Sequence, residues 1–179
     1  MSLICSNCGK IVETVPLKCG HSISLNGETN QWECDMGNCG VVTFDKFLCE
    51  NCCINSSMFK IFQDFQKLSV DNPEFREELD ELDATIVQTK LNNPEFAYWV
   101  EFGGGKFNVG KGETDGATVK VDCSQEVMSE ILAGRTTAFS EFLQGNLSLQ
   151  GNLQYAVVYF DLLNLATEIK NDVGVILNE

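Results

Sequence analysis

Basic side chains are scarce in this chain: 12 Lys and Arg stand against 26 Asp and Glu over 179 residues, a formal charge of −14. A surface of that sign does not neutralise phosphates, so nucleic acid is excluded as a partner. Histidine is scarcer still, with His21 alone, and no carboxylate pair with a histidine or nucleophile motif stands out. Phosphate loops are missing too, because Gly103-Gly104-Gly105-Lys106 lacks the required spacing and the hydroxyl that should follow. No apolar run reaches the roughly 18 to 20 residues of a membrane span; the longest, Tyr155 to Leu165, is broken by Asp161 and Asn164. After Met1 there is no basic segment leading into an apolar one, so no secretory signal is visible and a soluble, cytosolic protein is expected.

Cysteine is all but absent beyond residue 53, where Cys123 stands alone, yet the first 53 residues hold the other eight cysteines and the histidine. They come in pairs: Cys5 with Cys8, Cys19 with His21, Cys34 with Cys39, and Cys49 with Cys52, Cys53 being the spare or standing in for Cys52. Eight such ligands match two tetrahedral zinc ions with every coordination position closed, which makes the metals structural rather than catalytic. Clustered cysteines in a reducing compartment favour metal over disulfides, and the odd count of nine adds to that. The front segment has little apolar material, so metal should supply its stability. Two domains are therefore expected, a zinc-binding one over residues 1–55 and a second over 56–179.

The order of ligand pairs resembles that of RING-type cross-brace fingers, in which pairs one and three share one metal and pairs two and four the other. Twelve residues separate His21 from Cys34, more than that family uses. Sequential pairing, with Cys5, Cys8, Cys19 and His21 on one ion and Cys34, Cys39, Cys49 and Cys52 on the other, fits the spacing as well.

In the second domain the period of 3.6 through Met58, Ile61, Phe62, Phe65 and Leu68 predicts a helix capped by Ser56 or Ser57. Asp71-Asn72-Pro73 supplies the cap and first-turn proline of a second helix burying Phe75, Leu79 and Leu82. Strands are predicted at Thr85–Leu91, Tyr98–Phe102, Lys106–Val109 and Thr118–Cys123, with the three glycines as a hairpin turn. Alternation in the last of these makes Cys123 a core residue. Ser124 caps a helix ending at Gly134, and a helical stretch around Phe139 and Phe142 ends at Gly145. Leu147 and Leu149 alternate in a short strand, and Gly151 opens a final helix that is apolar on nearly every side from Leu153 to Leu165. Such a helix must cover a partner or an internal apolar ligand.

The stretch from Gly134 through Phe142, Gly145, Leu147, Leu149 and Gly151 to Ala156 resembles the helix, aromatic segment, glycine, strand, glycine, helix signature of the sterol carrier protein lipid-transfer family. Gly110 to Glu113 and the strand Ala117 to Cys123 fit it as well, so the resemblance covers roughly residues 57–170. It implies an α+β fold, a five-stranded sheet covered by helices on one face, with an apolar tunnel between them for fatty-acyl or sterol-like lipids and no catalytic machinery. Lipid-contacting residues would then include Ile131, Phe139, Phe142, Leu147, Leu149, Val158, Leu162 and Leu165. The final residues, Leu177-Asn178-Glu179, are not the peroxisomal address of eukaryotic members. Two functions are compatible with this reading. One is a non-catalytic lipid binding or transfer module fused to a zinc domain that docks a partner. The other is a zinc-dependent interaction or regulatory protein, ubiquitin-ligase-like in one version, whose second domain is a scaffold without ligand.

Overall fold

The computed structural model describes residues 3–12, 14–16, 22–26, 28, 31–34, 41–42 and 48–176. The chain separates into two compact units, Met1–Ser56 and Ser57–Glu179. In the first, β1 (Leu3–Ile4) and β2 (Ile11–Val12) form an antiparallel pair. The turn between them is closed by the Cys5 amide donating to the Lys10 carbonyl and by the Gly9 amide donating to Cys5. Strands β3 (Thr14–Pro16), β4 (Ser22–Asn26), β5 (Gln31–Cys34) and β6 (Val41–Val42) make a four-stranded antiparallel sheet in sequence order. Apart from Ile23, the buried side chains described in this unit are Cys5, Cys49 and Cys52, flanked by Val12 and Leu48. Among the described residues, sulfur makes up most of this unit's core.

Helix α1 runs from Glu50 to Asp71, so the expectation of a start at Ser56 or Ser57 is corrected. Both serines lie within the helix on its exposed side, where a polar side chain loses no packing. The start falls instead directly after Cys49, with Glu50 in the first turn, where a carboxylate complements the helix dipole. Within the second unit α1 buries Met58, Phe59, Phe62 and Phe65. Helix α2 (Pro73–Asp80) begins as expected, with the Asn72 side chain accepting from the Phe75 amide at 2.8 Å and proline in its first turn. It buries Phe75 and Leu79.

Five strands follow: β7 (Thr85–Asn92), β8 (Phe96–Gly103), β9 (Lys106–Lys111), β10 (Val119–Ser124) and β11 (Leu147–Gly151). They form one mixed sheet in the order β11-β10-β7-β8-β9, with β10 parallel to β7 and the other neighbours antiparallel. Helices α3 (Gln125–Leu132) and α4 (Ala138–Gln144) connect β10 to β11, and α5 (Leu153–Ile176) closes the chain. Gly151 ends β11 rather than opening α5. Its φ is +98°, and a β-carbon there would overlap the Thr118 carbonyl, so only glycine turns this corner.

Alternation along the strands sorts the sheet into two faces. Val87, Leu91, Tyr98, Val100, Phe102, Phe107, Val119, Val121, Cys123 and Leu147 join one core with α1, α2, α3 and α5. Lys90, Lys120, Ser148 and Gln150 face solvent on the other side. Gln88 also belongs to that outer face but is buried, because a loop folds over it: its Nε2 donates to the carbonyls of Tyr98 and Gly112, and its Oε1 accepts from the Thr114 amide at 2.7 Å. One glutamine thereby pins the Gly112–Thr114 loop to the sheet.

Candidate functional site

The layer between the inner sheet face and the helices is the part of this unit where an apolar ligand could sit. One row across the sheet, by strand register, is Leu149, Val121, Thr89, Tyr98 and Lys111. Above it α5 buries Ala156, Tyr159, Phe160, Leu162, Leu163, Ala166 and Ile169, a set too wide for one stripe. Aromatic rings fill much of the space. Phe62 lies 4.5 Å from Tyr98, Phe102 stacks at 6.1 Å on Tyr159, and Tyr159 meets Phe160 at 5.2 Å, all between ring centroids.

Three hydroxyls enter this layer. Thr89 Oγ1 and the phenol oxygens of Tyr98 and Tyr159 are fully buried and have no hydrogen-bond partner outside their own trio. They face one another closely enough for each phenol to be within hydrogen-bonding range of the other and of the Thr89 hydroxyl. Burial, first of all, pushes both phenols above their usual range, and the neighbouring Cys123 adds to this. Cys123 itself is raised to about 12 by burial and then by Asp122, so it is a neutral core thiol, as its place in the strand pattern implied. The sequence reading passed over this trio. Its signal was available: Thr89 and Tyr98 sit at inward positions of their strands, and Tyr159 lies on an apolar stripe of α5.

A cavity of about 240 Å³ opens beside this layer, walled by Leu82, Phe102, Tyr155 and Val158 and rimmed by Glu81 and Asp83. Its inner wall, Phe102, is the ring stacked on Tyr159. The residues expected to contact lipid divide. Ile131, Leu147 and Leu162 are buried in the core, and Leu149, Val158 and Leu165 pack against it. Phe139 and Phe142 are not brought to this set; they are 70% and 38% exposed on α4. A polar clamp helps to hold α4 in place: Glu141 accepts from Thr136 at 2.6 Å and from Asn146 Nδ2 at 2.8 Å.

The family model of the SCP-2 sterol transfer family matches residues 62–164, the stretch that holds all five strands of the sheet, the last ten residues of α1 and the first half of α5. The chain belongs to that family. Solved structures agree on the fold. Sterol carrier protein 2 from Yarrowia lipolytica, in an apo form, superposes with a TM-score of 0.52 at 20% identity, covering 63% of this chain and 91% of that one. The sterol carrier protein domain 2 of Helicoverpa armigera gives 0.50 at 22% identity, covering 62% and 88%. No curated protein matches the chain. The SCP-2 match leaves the cysteine-rich front unit outside it.

In that unit Cys5, Cys8, Cys49 and Cys52 converge, with all four sulfurs within 4.8 Å of one another. Two turns bring them there: Cys5 and Cys8 follow β1, while Cys49 and Cys52 flank the start of α1. Tetrahedral zinc–thiolate bonds of about 2.3 Å place sulfurs about 3.8 Å apart, and Cys8 Sγ lies 3.7 Å from Cys49 Sγ. The electrostatics also fit a cation. The backbone amide of Cys49, with smaller help from those of Cys8 and Asn7, lowers Cys5 to about 6. Cys52 receives the Asn7 amide at 3.3 Å, which lowers it, but desolvation and hydrogen-bond contact with the other three cysteine sulfurs carry it up to about 12. Four crowded thiols cannot all ionise alone, and a divalent ion removes that conflict. The first ligand pair thus joins the fourth, which is neither the cross-brace order nor the sequential one. Cys19, His21 and Cys39 lie outside the described residues, and Cys34 is described only as the last residue of β5.

Proposed function

We propose that this protein is a non-catalytic carrier that binds an apolar lipid, of fatty-acyl or sterol type, between the sheet and α5 of its SCP-2 domain. The family match over residues 62–164 carries this reading. The width of the buried face of α5 supports it, because that surface exceeds what a helix on one side of a sheet needs. Burial at about 0.8 kcal/mol per methylene gives a sixteen-carbon chain a gross driving force near ~12 kcal/mol, from which ordering costs subtract heavily. Affinity can come from apolar walls without a charged anchor. The described wall residues include Leu82, Phe102, Tyr155 and Val158. At about 240 Å³ that cavity is below the usual ligand-site range of roughly 300–1,000 Å³, so α5 must shift outward to admit a whole chain.

The domain division at residue 55, the zinc ions and the partner belong to the same proposal. Cys5, Cys8, Cys49 and Cys52 hold one zinc. Cys19, His21, Cys34 and Cys39, the middle two ligand pairs of the sequence, are assigned to the second. Both sites are closed, which suits a module that docks a partner protein. Clustered thiols of this kind support a reducing compartment, the cytosol. No helix among the described residues is long and apolar enough to cross a membrane.

The experiment is mass spectrometry of an organic extract of the purified protein, with displacement of a fluorescent fatty-acyl probe by chains of increasing length. Longer chains should compete better, by less than about 0.8 kcal/mol per methylene. Protein that extracts clean and binds no chain favours the other reading, an interaction protein whose SCP-2 fold is a filled scaffold. The dense aromatic packing of Phe62, Tyr98, Phe102 and Tyr159 is the observation on that side.

A further inference from the structure

Resting on the carrier reading, we propose that the hydroxyls of Thr89, Tyr98 and Tyr159 bind the polar end of the ligand, and that this end is uncharged, an alcohol or a carbonyl rather than a carboxylate. Protein interiors pair nearly all their buried polar atoms. Here three hydroxyls with no partner outside their own trio meet in one place, on residues that have 0% exposure. They are contributed by three separate elements, β7, β8 and α5, so no local turn or cap accounts for them. Each can rotate to donate or accept, which suits a hydroxyl or a carbonyl oxygen at the end of an apolar body.

The charge around them selects against an acid. The nearest groups on every packed element are neutral: the Cys123 thiol from β10, the rings of Phe62 from α1 and Phe102 from β8, and Phe160 from α5. Lys111 shares the row of Tyr98 but turns its ammonium over the Phe59 ring, 4.9 Å from the centroid. A carboxylate placed among the hydroxyls would be a buried charge without a cation, which is costly. An alcohol would gain the hydrogen bonds without that penalty. The cavity beside Phe102 supplies the approach, since its inner wall is the ring stacked on Tyr159. The polar end enters first and the chain follows.

The test uses the full chain stripped of lipid, a fluorescent alkyl probe, and three competitors of equal length: dodecane, 1-dodecanol and dodecanoate at neutral pH. We expect 1-dodecanol to displace the probe at concentrations about tenfold lower than dodecane, with dodecanoate weaker than the alcohol. In Thr89→Val, Tyr98→Phe and Tyr159→Phe, shape is kept and a hydroxyl is lost. Each should cut the alcohol-over-alkane preference by about two- to tenfold. A preference that survives in the triple variant overturns the assignment, as does dodecanoate binding as tightly as the alcohol. If dodecane binds with no preference for the alcohol, the polar subsite fails and the carrier reading stands. If none of the three binds, both fail together.

Discussion

Tyr98, Tyr159 and Thr89 each carry a hydroxyl that folding strips of water and pairs with no protein group outside the trio. Leaving a buried polar group in that condition costs about 1–3 kcal/mol. Removing the oxygen while keeping the ring should therefore not harm the ligand-free fold. Tyr159→Phe and Tyr98→Phe are expected to match or exceed the wild type in urea-denaturation stability, by up to about 1 kcal/mol, and a loss larger than that would mean the hydroxyl serves the fold. Gln88 shows the contrast within the same sheet, since its buried amide is satisfied at both ends. Burial alone therefore does not mark a functional polar group; burial without a partner from the rest of the fold does.

At the scale of elements, α4 is a seven-residue helix whose side chains Phe139 and Leu143 face outward while Ala138 packs against the core, and the carboxylate of Glu141 adds a polar clamp. Thr136 first and Asn146 second lower that carboxylate below its ordinary value of 4.5. A group whose folded value is depressed stabilises the protein above its unfolded value, and the gain is lost as pH falls through the folded one. Glu141→Gln should thus lower Tm at neutral pH, and the difference from wild type should shrink as acid brings the pH below 4.5; a difference constant with pH would discard the clamp. The other decisive element is the start of α1, which sets Cys49 and Cys52 against Cys5 and Cys8. Elemental analysis after dialysis should find two zinc ions per chain. Cys8→Ser or Cys49→Ser should lose one, and Cys123→Ser, in the core of the other unit, should lose none. Iron, or no metal, would reject the zinc assignment.

Over the whole molecule, two kinds of core divide the chain. The second unit buries a continuous hydrocarbon and aromatic cluster, whereas the described core of the first is mainly sulfur. A strong chelator should accordingly unfold residues 1–56 and leave the cooperative transition of residues 57–179 at the same midpoint. Far-UV circular dichroism together with tyrosine fluorescence would follow both. A shared midpoint would mean that metal stabilises the SCP-2 domain as well.

How much of this was legible beforehand depends on range. Alternation placed Val119, Val121 and Cys123 on the inner face, Asn72 and Ser124 announced their caps, and Gly145 ended α4 in the left-handed conformation. These are contacts within a few residues, and the chain states them locally. The ligand types of the thiol centre were equally plain, but their partners were not. Several pairings satisfy the same spacings, and only the closure of a loop of more than forty residues joins Cys8 to Cys49. The same limit explains the helix start misplaced at Ser56, where the terminus answers to Cys49 and its neighbours in space. Sequence by itself determined the two-part composition, the period of each element and the apolar excess of α5. Tertiary structure alone decided that Phe139 faces outward and that Thr89, Tyr98 and Tyr159 meet, because register between strands and the seating of a helix are set by packing across the whole core rather than by any residue's own preference.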